Sequence, residues 1–226
     1  MKFKIGGIYN NDIVRHLSLM NINDYVFDLR PLSMKFIQVY KACEIINNSN
    51  TNKTKFLFQF EDEKDFVVKQ TIINIQKDLK LDQSFSLFFS GSESFDFCEQ
   101  FNTNYSLKYS ERLNLNDLSK QKYLKNLMID YDHLERLLNF SKLSEFITSL
   151  SKTNIPLVLI GKFGQQMMES IIDFVDFESC LFQLDETVEL GFRNLDLAKL
   201  NQAVAFSESI FKNKLTNNGK YNENTN

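Results

Sequence analysis

Short runs of apolar residues alternate along this chain with segments in which apolar residues recur every three or four positions. The runs are rich in Phe, Ile, Val and Tyr, which is typical of strands buried on both faces. Eight such runs occur, at 3–5, 25–29, 55–60, 85–89, 105–109, 126–130, 156–160 and 180–184. The segments between them have helical periodicity, as at Ile13, Val14 and Leu17. This alternation predicts a parallel sheet covered by helices, and eight units favour a closed (β/α)8 TIM barrel over an open doubly wound sheet.

The same pattern predicts a single domain. The barrel is expected to span 1–214, with a closing helix at about 195–211 that carries Leu200, Val204 and Phe211 on its apolar face. The 226 residues are 43% hydrophobic, which is enough for one sizeable core, and two prolines and seven glycines leave no stretch typical of an interdomain linker. Residues 215–226 are polar and aperiodic, so a disordered C-terminal tail is predicted there.

Composition argues against several classes of function. A formal net charge of −3 with mixed signs gives no basic patch, so no nucleic-acid partner is expected. No apolar run reaches the roughly 18 residues of a membrane span, and the N-terminus lacks the apolar core of a signal peptide, so we expect a cytoplasmic protein without a membrane partner. Cys43, Cys98 and Cys180 are far apart and form no Cys-x-x-Cys pair, which predicts buried hydrophobic residues. No cofactor and no metal ion is predicted, and the oligomeric state is left open.

In a barrel of this kind, functional residues come from the loops at the C-terminal ends of the strands. That rule selects a set of mostly polar residues: Gly6, Gly7, Asp28, Arg30, Gln59, Glu61, Ser90, Gly91, Lys108, Glu111, Asp130, Asp132, Gly161, Lys162, Asp185 and Glu186. Charged residues directly after apolar runs fit the rim of a pocket. They also fit ordinary strand-to-helix loops, which must be polar and must cap the following helix.

Several stretches in or near these strand ends can be compared, by their order and spacing along the chain, with a known protein family. They are Lys4-Ile5-Gly6-Gly7, Asp24-Tyr25-Val26-Phe27, Arg30-Pro31-Leu32-Ser33, Leu127-Met128-Ile129-Asp130, Val158-Leu159-Ile160-Gly161-Lys162 and Thr187-Val188-Glu189. In this order they resemble phosphoribosylanthranilate isomerase, the barrel of tryptophan biosynthesis, whose first strand begins Lys-Ile-Cys-Gly. The resemblance spans nearly the whole chain and implies an intramolecular sugar-phosphate isomerase.

The resemblance also implies roles for individual residues. Asp130 matches the family's general acid, whereas the family's general base is a cysteine at the position of Gly6, which has no ionisable group. Asp28 and Glu61 are candidate replacements for that base. The expected substrate-binding residues are Gly6, Gly7, Arg30, Lys35, Gly161, Lys162 and Gly164. Among these, Lys162 with the backbone of Gly161 and Gly164 is expected to bind an anion at the start of a helix.

Two departures from the family weigh against catalysis. Gly6 removes the base, and Asp185, Glu186 and Thr187 stand where the family has Ser-Ser-Gly around the phosphate, so two carboxylates would face an anion. We therefore favour a non-catalytic or ligand-binding barrel, a pseudoenzyme candidate, with a small phosphorylated metabolite as the expected ligand. An active Amadori-type isomerase with Asp130 as general acid stays open as the alternative. A third interpretation, a divalent cation held by the strand-end carboxylates, would explain the acidic rim.

Overall fold

A computed structural model describes residues 2–49, 54–80 and 84–221 of the chain. Eight parallel strands close into a barrel in chain order, with the last strand paired to the first. The strands are β1 (Lys2–Gly6), β2 (Asp24–Asp28), β3 (Lys55–Phe60), β4 (Phe85–Phe89), β5 (Tyr105–Lys108), β6 (Leu124–Asp130), β7 (Leu157–Gly161) and β8 (Phe177–Gln183). Each lies on one of the eight predicted runs, and β3 and β4 have the predicted bounds. The predicted (β/α)8 TIM barrel is confirmed.

Helices cover the outside of the barrel. They are α1 (Asn11–Leu19), α2 (Val39–Asn48), α3 (Asp65–Asp78), α4 (Phe95–Glu99), α5 (Tyr131–Asn139), α6 (Leu143–Ser151), α7 (Glu169–Phe174) and α8 (Leu197–Tyr221), with a 3-10 helix at Leu115–Lys120. The apolar face of α1, with Ile13, Val14 and Leu17, belongs to the same buried cluster as Ile5 of β1. None of the helices in the described ranges is long and apolar enough to cross a membrane.

The closing helix differs from its predicted bounds. α8 continues past the predicted end at Phe211 and reaches Tyr221, so it enters the segment predicted to be a disordered tail. The remainder of that segment, 222–226, lies outside the described residues. The division of the chain at 214 therefore stays a prediction.

A short antiparallel hairpin lies between β8 and α8. Its strands, β9 (Glu189–Gly191) and β10 (Asn194–Leu195), pair in a sheet of their own outside the barrel. Asp196 donates its backbone N–H to the carbonyl of Val188 at 2.8 Å, which closes the base of the hairpin. The sequence pattern does not predict this element, because strands of three and two residues are too short to show a period.

The inside of the barrel is layered along the strands. Its middle layer is apolar and nearly inaccessible to solvent, and Ile160 packs against it; the layer consists of Val26, Leu57, Phe88, Met128, Val158 and Leu181. On β2, Asp24 and Asp28 share the inward face with Val26, because strand side chains alternate. The apolar layer therefore separates a polar layer at the mouth, meaning the C-terminal end of the strands, from a polar layer at the opposite end.

Aromatic rings and the cysteines fill the core between strands and helices. Cys43, Cys98 and Cys180 are buried there, as predicted, and burial raises the pKa of Cys43 to about 11. Phe163 stacks on Phe182 with ring centroids 5.0 Å apart in the same outer core. Phe163 therefore packs outside the barrel sheet and does not fill the mouth.

Candidate functional site

The glycine pair at the end of β1 packs against side chains of the same chain. A Cβ built on Gly6 would lie 2.6 Å from Cδ of Gln183, so the Gln183 carboxamide occupies the space of a side chain at position 6. Gly7 has a φ of +78°, a region that favours glycine, and it donates its N–H to the Val26 carbonyl at 3.1 Å. A Cβ on Gly7 would lie 3.4 Å from Cγ of Lys35. The expected substrate-binding glycines thus adjoin Gln183 and Lys35.

Asp28, the candidate base, lies at the end of β2 in a saturated network. It is 1% exposed. Its Oδ1 accepts from the backbone N–H and Nε of Arg30 at 3.0 and 2.8 Å, and its Oδ2 accepts from Nη2 of Arg30 and Oγ of Ser33 at 2.7 and 2.6 Å. Nη1 of Arg30 reaches Glu61 at 2.9 Å. The hydrogen bond to Asp28 raises the pKa of Arg30. A carboxylate with this many donors has little acceptor capacity left for a substrate proton.

Lys35 is bound by the hairpin that follows β8. Its Nζ lies 2.6 Å from Oε2 of Glu189, and the two side chains are 18% and 6% exposed. Arg193 of the same hairpin donates from Nη2 to the carbonyl of Phe36. The guanidinium of Arg193 also lies 6.0 Å from the ring centroid of Tyr9. The hairpin is therefore bound to the loop after β2, and Lys35, one of the expected substrate-binding residues, binds a carboxylate of its own chain.

Asp130, the expected general acid, ends β6 directly before α5. Lys108, the last residue of β5, places its Nζ 2.8 Å from Oδ2 of Asp130. The two side chains are 35% and 38% exposed, so the pair stands at the open rim of the barrel. The barrel topology places Asp130 at the mouth, as expected. Its ion-pair partner there is Lys108 of the same chain.

The loop after β7 corrects one expectation. Lys162 was expected at the start of a helix, yet α7 begins only at Glu169, because an extended turn with Gly164 at a φ of +71° intervenes. Gly161 is buried, and a Cβ there would collide with Cε of Met167. Lys162 turns instead toward Asp132, with Nζ 3.1 Å from Oδ2.

A glutamine completes this pair and changes its proton affinity. Gln165 donates from Nε2 to Oδ1 of Asp132 at 2.7 Å and accepts the Lys162 N–H at 3.0 Å. The hydrogen bonds from Gln165 and then Lys162 lower the pKa of Asp132, and the same pairing raises the pKa of Lys162. Lys162 and Gln165 of this loop therefore pair with each other and with Asp132 of α5.

Three residues that sequence reasoning did not single out for a role shape the mouth. Gln183 covers Gly6, Glu189 holds Lys35, and Glu93 is 8% exposed and bridges two loops. Glu93 accepts the backbone N–H groups of Gly91 and Asp62, each at 3.1 Å. Strand alternation places Gln183 on the inward face with Leu181, which was a usable signal. The partners of Glu93 and Glu189 lie in other loops, so no local pattern identifies them.

Ion pairs neutralise four of the basic side chains at the mouth. Arg30, Lys35, Lys108 and Lys162 each have a carboxylate within 3.1 Å. The acidic partners outnumber them by one, since Arg30 binds two carboxylates. In the loop after β8, Asp185 accepts the Thr187 backbone N–H at 3.0 Å, so a donor matched to the phosphate loop is also engaged internally. Across the described ranges, no three His, Cys, Asp or Glu side chains are grouped as metal ligands.

Comparison with solved structures shows which fold this is. The phosphoribosylanthranilate isomerase of Thermus thermophilus is similar with a TM-score of 0.64 and 15% identity, over 93% of this chain and 100% of that chain. TrpF from Jonesia denitrificans gives 0.66 and 12%, over 93% and 98%. Orotidine 5'-monophosphate decarboxylase from Sulfolobus solfataricus gives 0.55 and 12%, over 93% and 99%. No family model and no curated protein matches the chain. The chain has the (β/α)8 fold of the phosphoribosylanthranilate isomerases, a fold that other TIM barrels share.

Proposed function

We propose that this chain is a non-catalytic barrel with the fold of phosphoribosylanthranilate isomerase, which binds a ligand without isomerising it. The observation that carries the proposal is the packing at Gly6. The resemblance requires a general base at this position, and the residue here has no side chain while the carboxamide of Gln183 takes up the space. A carboxamide does not take a proton at neutral pH, so neither residue replaces the missing base.

The electrostatics of the mouth support the same conclusion. The substrate of the isomerase reaction carries a phosphate and a carboxylate, and both need cations or free N–H donors. Here Lys35 and Lys108 are already paired with carboxylates at 2.6 and 2.8 Å. An anionic substrate would have to displace those carboxylates, which stay nearby and repel it. We therefore place the ligand-binding role away from the mouth.

The test is an isomerase assay that separates loss of the base from loss of the fold. We expect the purified chain to convert no phosphoribosylanthranilate and to leave an isomerase-deficient tryptophan auxotroph unable to grow, because one positioned acid-base group is worth about 10² to 10⁴ in rate. The Thermus thermophilus enzyme serves as the positive control. Circular dichroism of the same preparation shows whether the chain is folded.

Two variants sharpen this test. Gly6→Cys restores the family's base but sets it against Gln183, whereas Gly6→Cys with Gln183→Ala removes that contact. We expect the double variant to gain at most a trace of turnover, since the ion pairs of the mouth are unchanged. Turnover by the unmodified chain above that of an Asp130→Asn variant would overturn the proposal in favour of an active isomerase with Asp130 as general acid.

A further inference from the structure

A polar cavity opens at the end of the barrel opposite the mouth. It has a volume of about 350 Å³, and its lining includes Lys4, Lys55, Ser106, Lys125 and Asn126. Leu57 of the apolar middle layer also lines it, so the cavity reaches into the barrel as far as that layer. Its size falls within the range of small-molecule sites. None of these residues belongs to the mouth.

A buried ammonium group is part of the lining of this cavity. Lys4 is 5% exposed, and its Nζ donates to Oδ2 of Asp24 at 2.9 Å. An ammonium group has three N–H donors, and buried donors are normally all used. Within the described residues, Asp24 is the acceptor that Lys4 has, which leaves two donors for a group in the cavity. Ser106, 2% exposed, adds to the same lining a hydroxyl whose partner is Oδ1 of Asn126 at 3.5 Å, a long and weak hydrogen bond that an anion can replace.

The rim of the cavity carries two lysines that form no ion pair with any described residue. Lys55 and Lys125 are exposed, and no ion pair of the described residues includes either of them. The acid at this rim, Glu178, accepts a hydrogen bond from Nδ2 of Asn126 at 3.0 Å. Among the described residues, these three lysines thus face Glu178 of the lining and Asp24, the partner of Lys4, and the five side chains have a net charge of +1. At the mouth, by contrast, Arg30, Lys35, Lys108 and Lys162 are each paired with a carboxylate.

We propose that this cavity binds a small oxyanion, the phosphate or carboxylate group of a metabolite. The buried Lys4 and the hydroxyl of Ser106 contact the anion, and Lys55 and Lys125 attract it from the rim. The oxyanion is the class of ligand for the binding function proposed above, and its biological role rests on that function. The test does not depend on that function, because anion binding and isomerase turnover are measured separately.

The experiment is a titration of the full chain with inorganic phosphate, followed by ¹H–¹⁵N NMR up to about 10 mM, which fills a site with a Kd of about 1 mM. We expect saturable shifts at Ser106, at Asn126 and at Ser86, which also lines the cavity. In Lys55→Glu we expect a Kd that is weaker by at least roughly tenfold. Ribose 5-phosphate and citrate as further ligands distinguish a phosphate ester from a carboxylate. A parallel titration of Lys162→Glu, a charge reversal at the mouth, should give the Kd of the unmodified chain.

The outcomes separate the two ends of the barrel. Shifts confined to 161–165 and lost in Lys162→Glu would overturn the proposal and place the anion at the mouth. No saturable shift with any of the three ligands would also overturn it. Lys4→Met removes the buried ammonium group and leaves Asp24 unpaired, so the folding of this variant is checked before its phosphate titration. If Lys4→Met does not fold, Lys125→Glu, a change at an exposed residue, is titrated in its place.

Discussion

Asp28→Asn tests whether this carboxylate is an ion-pair partner that holds the mouth together. The substitution keeps the volume but turns one acceptor oxygen into an NH2 group, and in either orientation of the amide that group faces an N–H donor of Arg30. Removing one partner of a buried ion pair costs about 3–5 kcal/mol. The Arg30 side chain is 26% exposed and keeps Glu61 as a partner, so we expect the lower end, about 3 kcal/mol.

The assay is urea unfolding of the purified chain, monitored by circular dichroism. In a thermal melt of the same sample, about 3 kcal/mol corresponds to a decrease in Tm of roughly 6–12 °C for a chain of this length. Glu61→Gln is the matched control, because Glu61 binds the same arginine but its side chain is 48% exposed. Exposed pairs contribute about 0–1 kcal/mol, so this variant should unfold close to the unmodified chain.

A particular result would refute the reasoning. If Asp28→Asn and Glu61→Gln lowered the free energy of unfolding equally, by less than about 1 kcal/mol, the hydrogen bonds around Asp28 would not be structural. If Asp28→Asn also abolished a measurable isomerase turnover while stability was unchanged, Asp28 would be the replacement base. The proposal of a non-catalytic barrel would then be wrong.

Two further predictions concern stability. Gly91→Ala should cost about 3 kcal/mol, since a φ of +92° disfavours alanine by about 1–2 kcal/mol and the new Cβ would collide with the Lys108 carbonyl oxygen. Gly164→Ala, with a φ of +71° and no atom within 4 Å of its Cβ, should cost about 1 kcal/mol; equal losses in urea unfolding would contradict this. Burial, and then Arg136, lowers the pKa of His133 below 6.5. The unfolded chain therefore takes up the proton first, so stability should fall as the pH drops below about 6.5, by at most about 1.4 kcal/mol per pH unit, and His133→Phe should reduce that slope in urea titrations at several pH values.

The barrel could be predicted from the sequence because its strands are buried on both faces. Most residues of Lys55–Phe60 and Phe85–Phe89 are apolar, as in strands that are buried on both faces. Eight such runs that alternate with helical periodicity are typical of a (β/α)8 barrel. The hairpin at Glu189–Gly191 was missed for the opposite reason. Its few residues are intermediate or exposed, so burial imposes no period on them.

Positions at the candidate site were predictable, whereas their pairings were not. The rule that strand C-terminal ends meet at one face placed Asp28, Asp130 and Gly161 at the mouth. Lys35 and Glu189 are 154 positions apart, and nothing local to either residue identifies the other as its partner. The helix expected at Lys162 begins at Glu169, because the turn through Gly164 had no apolar period to mark its length.

The two ends of this barrel differ in how far their basic side chains are paired with carboxylates. Because an apolar layer separates the two ends, each can be tested by itself. Side chains such as Phe88 and Met128 fill the middle of the barrel, so a group bound at one end does not contact the other. Substitutions more than about 10 Å apart with no shared partner act additively. A double variant with Lys55→Glu and Asp28→Asn should therefore show the anion affinity of the first change and the stability loss of the second, each unaltered. Coupling between the two would mean that the polar ends communicate through the core, and neither site could then be assigned from its own contacts alone.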